Sequence, residues 1–224
     1  MKKNTDPLNA IGNTPIVKLK KLVPENSAEV WVKLEGLNPT GSYKDRMAVS
    51  VLQNALKRGD IKTGDRVVEY TGGSTGTSLA FVSAVLGLKF TAVFSDAFSK
   101  IKQQSMEAFG AKAIVIKSDN GNITPDLIQN MKNKAYELAK EPGTFYADQF
   151  GSSDVIKGYE SLGIEIVNQI DGNVNVLCAA VGTGGALMGT YSGLVNSGMN
   201  PKLIALEPLQ SPTLTTGKGG PHKV

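Results

Sequence analysis

Lys44 follows the turn Gly41-Ser42-Tyr43 and opens a segment of helical period. The positive end of a helix disfavours an ammonium ion, so an amine placed there is expected to have a lowered pKa. Schiff-base chemistry needs an accessible neutral amine, and Lys44 is the lysine best placed to supply one. An ordinary solvated surface lysine has the same local setting, and both readings stand at this point.

Two further turns can hold anions. The run GTGG, Gly182, Thr183, Gly184 and Gly185, follows an apolar segment and opens another of helical period. Free amides and the positive helix end would converge there, which suits a phosphate. It lacks the Lys-Ser/Thr ending of a nucleotide P-loop and the third glycine of a dinucleotide fingerprint, so a small cofactor phosphate fits it better than ATP or NAD. The run TGGSTGT, residues 71–77, offers hydroxyls at Thr71, Ser74, Thr75 and Thr77 together with unpaired amides, a set suited to a carboxylate. Ser74 or Thr75 could equally serve there as a helix N-cap, and any α/β protein needs some glycine turns.

These turns require a scaffold of strands feeding helices. Strands are expected over 28–34, 66–70, 90–95, 113–117, 174–181 and 202–207, the fifth of them buried. Helices are expected over 43–58, 74–86, 99–109, 125–140, 154–169 and 184–196. Such alternation implies an α/β protein with open parallel sheets covered by helices. Glu141-Pro142-Gly143 stops a long helix, and we place a boundary there between residues 1–145 and 146–224, with the first 35 or so residues able to pack on the second unit. In parallel sheets, ligands sit at the carboxyl ends of strands, where all three turns fall.

Composition excludes several classes. The single Cys178 forbids an internal disulfide and Cys-rich zinc sites, and points to a reducing compartment, with the cytoplasm as the default. The one histidine, His222, lies close to the C-terminus, which sets aside Ser-His-Asp catalysis and multi-histidine metal sites. Residues 1–21 hold five lysines and one acid, so they account for the whole net charge of +4. With only three arginines in the chain, no nucleic-acid partner is expected. No apolar run is long enough for a membrane span and no signal segment is readable.

Taken together, Gly12-Asn13-Thr14-Pro15, Lys33-Leu34-Glu35, the run 38–46 (NPTGSYKDR), the run 71–76 (TGGSTG), Gln149-Phe150 and the run 182–185 resemble the cysteine synthase group, which includes cystathionine β-synthase, of fold-type-II pyridoxal-phosphate enzymes. The resemblance implies a tryptophan synthase β-like fold of two α/β domains and pyridoxal 5'-phosphate as cofactor. It further implies Lys44 as the Schiff-base lysine, Ser74 beside the cofactor ring, Gly182, Thr183, Gly184 and Gly185 around its phosphate, and Thr71, Gly72, Thr75 and Gln149 on the substrate carboxylate. The implied reaction is β-replacement of O-acetyl-L-serine with sulfide. The implied partners are an amino-acid substrate and sulfide, a second copy in a homodimer, and a serine acetyltransferase tail.

The chain departs from the group's pattern at Gly72 and Ser74, where Ser and Asn are usual, at Ala186, where Thr is common, and at 161–165, where a T-G-P-E run is usual. The stretch Gly220-Pro221-His222-Lys223 resembles one that continues further in the group, so the last part of the second domain is expected to be missing. Two rivals stay open: a related β-elimination or β-replacement enzyme, such as cystathionine β-synthase or a sulfide-producing cysteine lyase, and a shortened, non-catalytic phosphate-binding module.

Overall fold

The structure, a computed structural model, describes residues 5–220; His222 and the end of the Gly220-Pro221-His222-Lys223 stretch lie outside them. In chain order the elements are β1 (Ile16–Lys18), β2 (Trp31–Lys33), α1 (Lys44–Arg58), β3 (Arg66–Tyr70), α2 (Ser74–Val85), β4 (Lys89–Ser95), α3 (Lys100–Ala108), β5 (Lys112–Ile116), α4 (Pro125–Ala139), β6 (Thr144–Tyr146), α5 (Ser153–Gln169), β7 (Val176–Ala180), α6 (Gly185–Asn196), β8 (Lys202–Leu206) and the short α7 (Thr213–Thr216). The helix boundaries follow their stop and start residues. Gly59, at φ 78°, ends α1 in the left-handed conformation, and the Thr124 hydroxyl caps α4 by accepting from the Leu127 amide.

β5, β4, β3 and β6 form a parallel sheet in that order, and its strands divide their side chains between two faces. Val67, Phe90, Ala92 and Phe94 point into a core with Met47, Val51 and Leu52 of α1 and Leu79 of α2. Val68, Tyr70 and Val93 point the other way, onto Leu127, Met131 and Ala135 of α4. This is the period of two expected of a strand buried on both faces.

A second unit pairs β7 with β8 in parallel and packs α5 on α6. The two helix backbones nearly touch. A Cβ on Gly163 would lie 2.3 Å from the Thr190 carbonyl oxygen, and one on Gly193 would lie 2.1 Å from that of Glu160, so only glycine permits this approach.

Three features differ from the sequence-based expectation. β1, β6 and α7, three or four residues each, were not anticipated, and β1 pairs antiparallel with the expected strand β2, apart from the parallel sheets. The chain leaves the Glu141-Pro142-Gly143 stop and enters β6, which pairs with β3, so the first sheet runs on to Tyr146. The strand expected to be buried over 174–181 is half open: Val176 is 48% exposed in β7, and Leu206 is 50% exposed in β8. An apolar run signals burial only when strands or helices cover it, and among the described residues β7 and β8 have only each other in their sheet.

Candidate active site

Lys44 is the first residue of α1, and its surroundings hold that turn in place. The backbone N–H and hydroxyl of Thr40 donate to the Asp45 carboxylate at 2.9 and 2.5 Å, and the Lys44 N–H donates to the Ser42 hydroxyl at 3.1 Å. The Lys44 ammonium lies 5.2 Å from the centre of the Tyr43 ring. Its pKa is lowered, as expected, but burial is the main cause, opposed by the charge of Glu69.

A narrow cleft joins this amine to the glycine turn. It is lined by Tyr43 and Lys44 together with Ala180, Gly182, Thr183, Gly184, Ala186 and Leu187. Gly184 caps α6 at φ 82° and contributes no side-chain bond to the helix, whose first amides are left for another acceptor. A Cβ built on Gly182 or Gly184 would meet nothing within 4 Å, whereas one on Gly185 would strike Val155 at 2.6 Å. The open space therefore lies on the side of Gly182 and Gly184.

The second group gathers at the carboxyl end of β3. The Thr71 hydroxyl oxygen accepts the N–H groups of Gly73 and Gly76 at 3.0 and 3.1 Å, which leaves its own proton to donate. Thr75 donates its hydroxyl to Gln149 Oε1 at 2.7 Å, and Gln149 Nε2 donates to the Tyr70 carbonyl at 3.2 Å, with its second proton unused in that bond. Thr71, Thr75 and Gln149 are all buried, while Ser74 is exposed at the start of α2. Gly72 lies against Phe98, which a Cβ would meet at 3.1 Å.

Thr71, Gly72, Ser74, Thr75 and Gln149 do not line the Lys44 cleft. The two groups are tied by the 3.2 Å contact between the Thr40 and Ser78 hydroxyls and by the electrostatic pull of Glu69 on Lys44.

Sequence reasoning missed two features. Glu69 is fully buried in β3, and burial pushes its pKa up to about 8 against the bonds it accepts from the Gln149 and Tyr70 amides. A single acid within the apolar run RVVEY is the signal that could have found it. Arg46 is the other: its side chain is 2% exposed and binds Glu35 through Nε and Nη2 at 2.7 and 2.8 Å. Lys33 donates to both Glu165 and Thr14, and Thr14 donates to Glu35. Residues of three sequence motifs thus form a closed set of paired charges that fastens the start of α1 to the N-terminal segment. Among the described residues no cluster of His, Cys, Asp and Glu could hold a metal ion, and no helix is long and apolar enough to cross a membrane.

Comparison with known proteins leads to the same chemistry. The family described as "Pyridoxal-phosphate dependent enzyme" matches residues 8–224. A cysteine synthase of Staphylococcus aureus is 38% identical over 218 residues, which is 96% of this chain and 68% of that protein. Among solved structures, a hydrogen sulfide-producing enzyme from Fusobacterium nucleatum has a TM-score of 0.88 at 35% identity, covering 98% of this chain and 72% of its own. Cysteine synthase from Entamoeba histolytica has a TM-score of 0.87 at 31% identity, covering 100% and 67%. The chain therefore spans about two thirds of the length of these proteins and shares their tryptophan synthase β-like fold.

The residues present fit the cofactor. Pyridoxal phosphate carries an aldehyde and a phosphate, and one cleft is lined both by Lys44, of lowered pKa, and by an uncapped helix start with open space at two glycines. Close behind Gly185 lies the edge of the Tyr159 ring, whose hydroxyl is fully buried and has no hydrogen-bond partner among the described residues. Given the match over residues 8–224 and a cleft suited to that cofactor, this chain belongs to the family of pyridoxal-phosphate dependent enzymes.

Proposed function

We propose that the chain is a cysteine synthase that replaces the acetate of O-acetyl-L-serine with sulfide, giving L-cysteine and acetate. The observation that carries this reading is the cleft in which Lys44 faces Gly182, Thr183 and Gly184. The similarity to cysteine synthases supports the choice of reaction.

In this reading Gly182, Thr183, Gly184 and Gly185 hold the cofactor phosphate through backbone amides and the positive end of α6. Lys44 binds the cofactor; Ser74, which does not line the cleft, is assigned to the ring side by the resemblance alone. When bound, the cofactor supplies an electron sink for the pair released as the substrate Cα–H bond breaks. Burial favours the neutral amine of Lys44, which takes the Cα proton and later returns it. Acetate leaves Cβ with the electron pair of its C–O bond, and hydrosulfide forms the C–S bond there, so the atoms balance. The free hydroxyl proton of Thr71, the spare Gln149 amide proton and the backbone near Gly72 receive the substrate carboxylate, and the Thr75 hydroxyl orients Gln149 by donating to its Oε1. The division of labour follows the two units: the first, whose sheet runs on to Tyr146, carries the lysine and the 71–77 turn, and the residues after it carry Gln149 and the phosphate turn. The same proposal includes a cytoplasmic homodimer able to dock a serine acetyltransferase tail.

A second reading, a sulfide-producing cysteine lyase, is favoured by the likeness to the Fusobacterium nucleatum enzyme. Supplying the chain with cofactor and then with either O-acetyl-L-serine plus sulfide or L-cysteine alone separates the two. Cysteine and acetate formed together support the synthase, sulfide released faster from cysteine supports the lyase, and no product from either overturns both.

A further inference from the structure

Glu69 does more than fill space beneath the carboxylate turn. Its Oε1 accepts the Tyr70 N–H at 3.0 Å, and its Oε2 accepts the Gln149 N–H at 2.9 Å. Gln149 then uses its side chain in the opposite direction, with Oε1 on the Thr75 hydroxyl and Nε2 on the Tyr70 carbonyl. Three of these bonds close a ring between the end of β3 and the segment after β6, and the fourth ties Thr75, in the first turn of α2, to it. Every polar atom in that ring except Glu69 belongs to the backbone or to a residue of the carboxylate site.

We propose that Glu69 is a positioning residue that sets the affinity of this site for the carboxylate of an amino-acid substrate, by fixing the Gln149 backbone so that the Gln149 amide reaches Thr75. The proposal rests on the reading of Thr71, Thr75 and Gln149 as the carboxylate site. A carboxyl group suits this place because both of its oxygens accept N–H donors; an amide there would turn its own NH2 toward one of them, leaving a buried donor unmatched. The titratable groups that bear on Glu69 are Asp148 and the Tyr146 hydroxyl beside it, Tyr70 next along β3, and Lys44 across the cleft. Burial, aided by Asp148, raises the carboxyl to about 8 against the pull of the two amides, so the grip on Gln149 titrates within an accessible range.

The test compares wild type, Glu69→Gln and Thr75→Ala by titrating O-acetyl-L-serine against the absorption of the cofactor-loaded protein. Glu69→Gln is expected to raise the half-saturating concentration about ten-fold, the size expected for one buried donor left unsatisfied, while leaving cofactor affinity within about two-fold. In wild-type protein without cofactor, the Gln149 backbone amide resonance is expected to shift with a midpoint of about 8. If Thr75→Ala weakens the titration but Glu69→Gln behaves as wild type, the role of Glu69 is wrong and the carboxylate site stands. If Thr75→Ala itself titrates as wild type, the site reading fails. Should Glu69→Gln not fold, the amide decides: a Gln149 resonance that shows no carboxyl titration at any pH at which the fold survives overturns the proposal.

Discussion

The guanidinium of Arg46 meets the carboxylate of Glu165 edge to edge, Nη1 on Oε1 and Nη2 on Oε2, both at 2.7 Å. Arg46 stands two residues after Lys44, so this fork holds the lysine-bearing turn of α1 against α5. Arg46→Ala would strand Glu35 and part of Glu165 with no counter-charge. We expect it to cost about 3–5 kcal/mol in urea unfolding, with Arg46→Lys recovering only part because an ammonium cannot form two forks. A loss under about 1 kcal/mol would show that the network is not a structural fastening.

The acids of the molecule titrate in opposite senses. Burial works to raise the Glu165 carboxyl, but the bonds from Arg46 and Lys33 hold it down to about 2. A lowered carboxyl adds stability that is present above its ordinary value and lost as pH falls through the folded value. Glu69, raised from 4.5 to about 8, does the reverse, and its contribution is lost as pH rises through about 8. Urea midpoints should therefore fall on both sides of mildly acidic pH, and Glu69→Gln should flatten the alkaline side. Equal wild-type midpoints at about pH 5 and about pH 9 would contradict this.

Lys44→Ala should abolish the covalent cofactor adduct that borohydride reduction leaves on the protein, read by mass spectrometry. Far-ultraviolet circular dichroism should stay near wild type, since alanine suits a helix start and Lys44 is only half buried. An adduct mapped to another lysine would move the site.

The two open glycines separate cofactor binding from folding. A Cβ on Gly182 meets nothing, so Gly182→Ala should unfold within about 1 kcal/mol of wild type and yet bind pyridoxal phosphate more weakly, because the methyl enters the cleft. Gly184→Ala adds backbone strain at φ 82° of about 1–2 kcal/mol, so it should lose both stability and affinity. Unchanged cofactor affinity in both variants, measured by fluorescence titration, would put the phosphate elsewhere.

The order of strands and helices was readable because each rests on neighbours within a few residues. The short apolar run in 66–70 and the glycine stop at Gly59 act locally, and β3 and α1 fall where they were expected. Strands as short as β1 and β6 fell below that signal. The glycine turns before α2 and α6, and Lys44 after its own turn, were likewise visible as residue types at strand-to-helix junctions.

Tertiary structure alone decided what those residues meet. Lys44 lines one cleft with Gly182 and Gly184, Glu69 reaches Gln149 across 80 residues, and Arg46 reaches Glu165 across 119. The apolar strand β7 proved half exposed for the same reason that Glu69 proved buried. Burial, and with it every shifted pKa, is the sum of contacts made by segments distant in the chain, and no window of local sequence contains that sum.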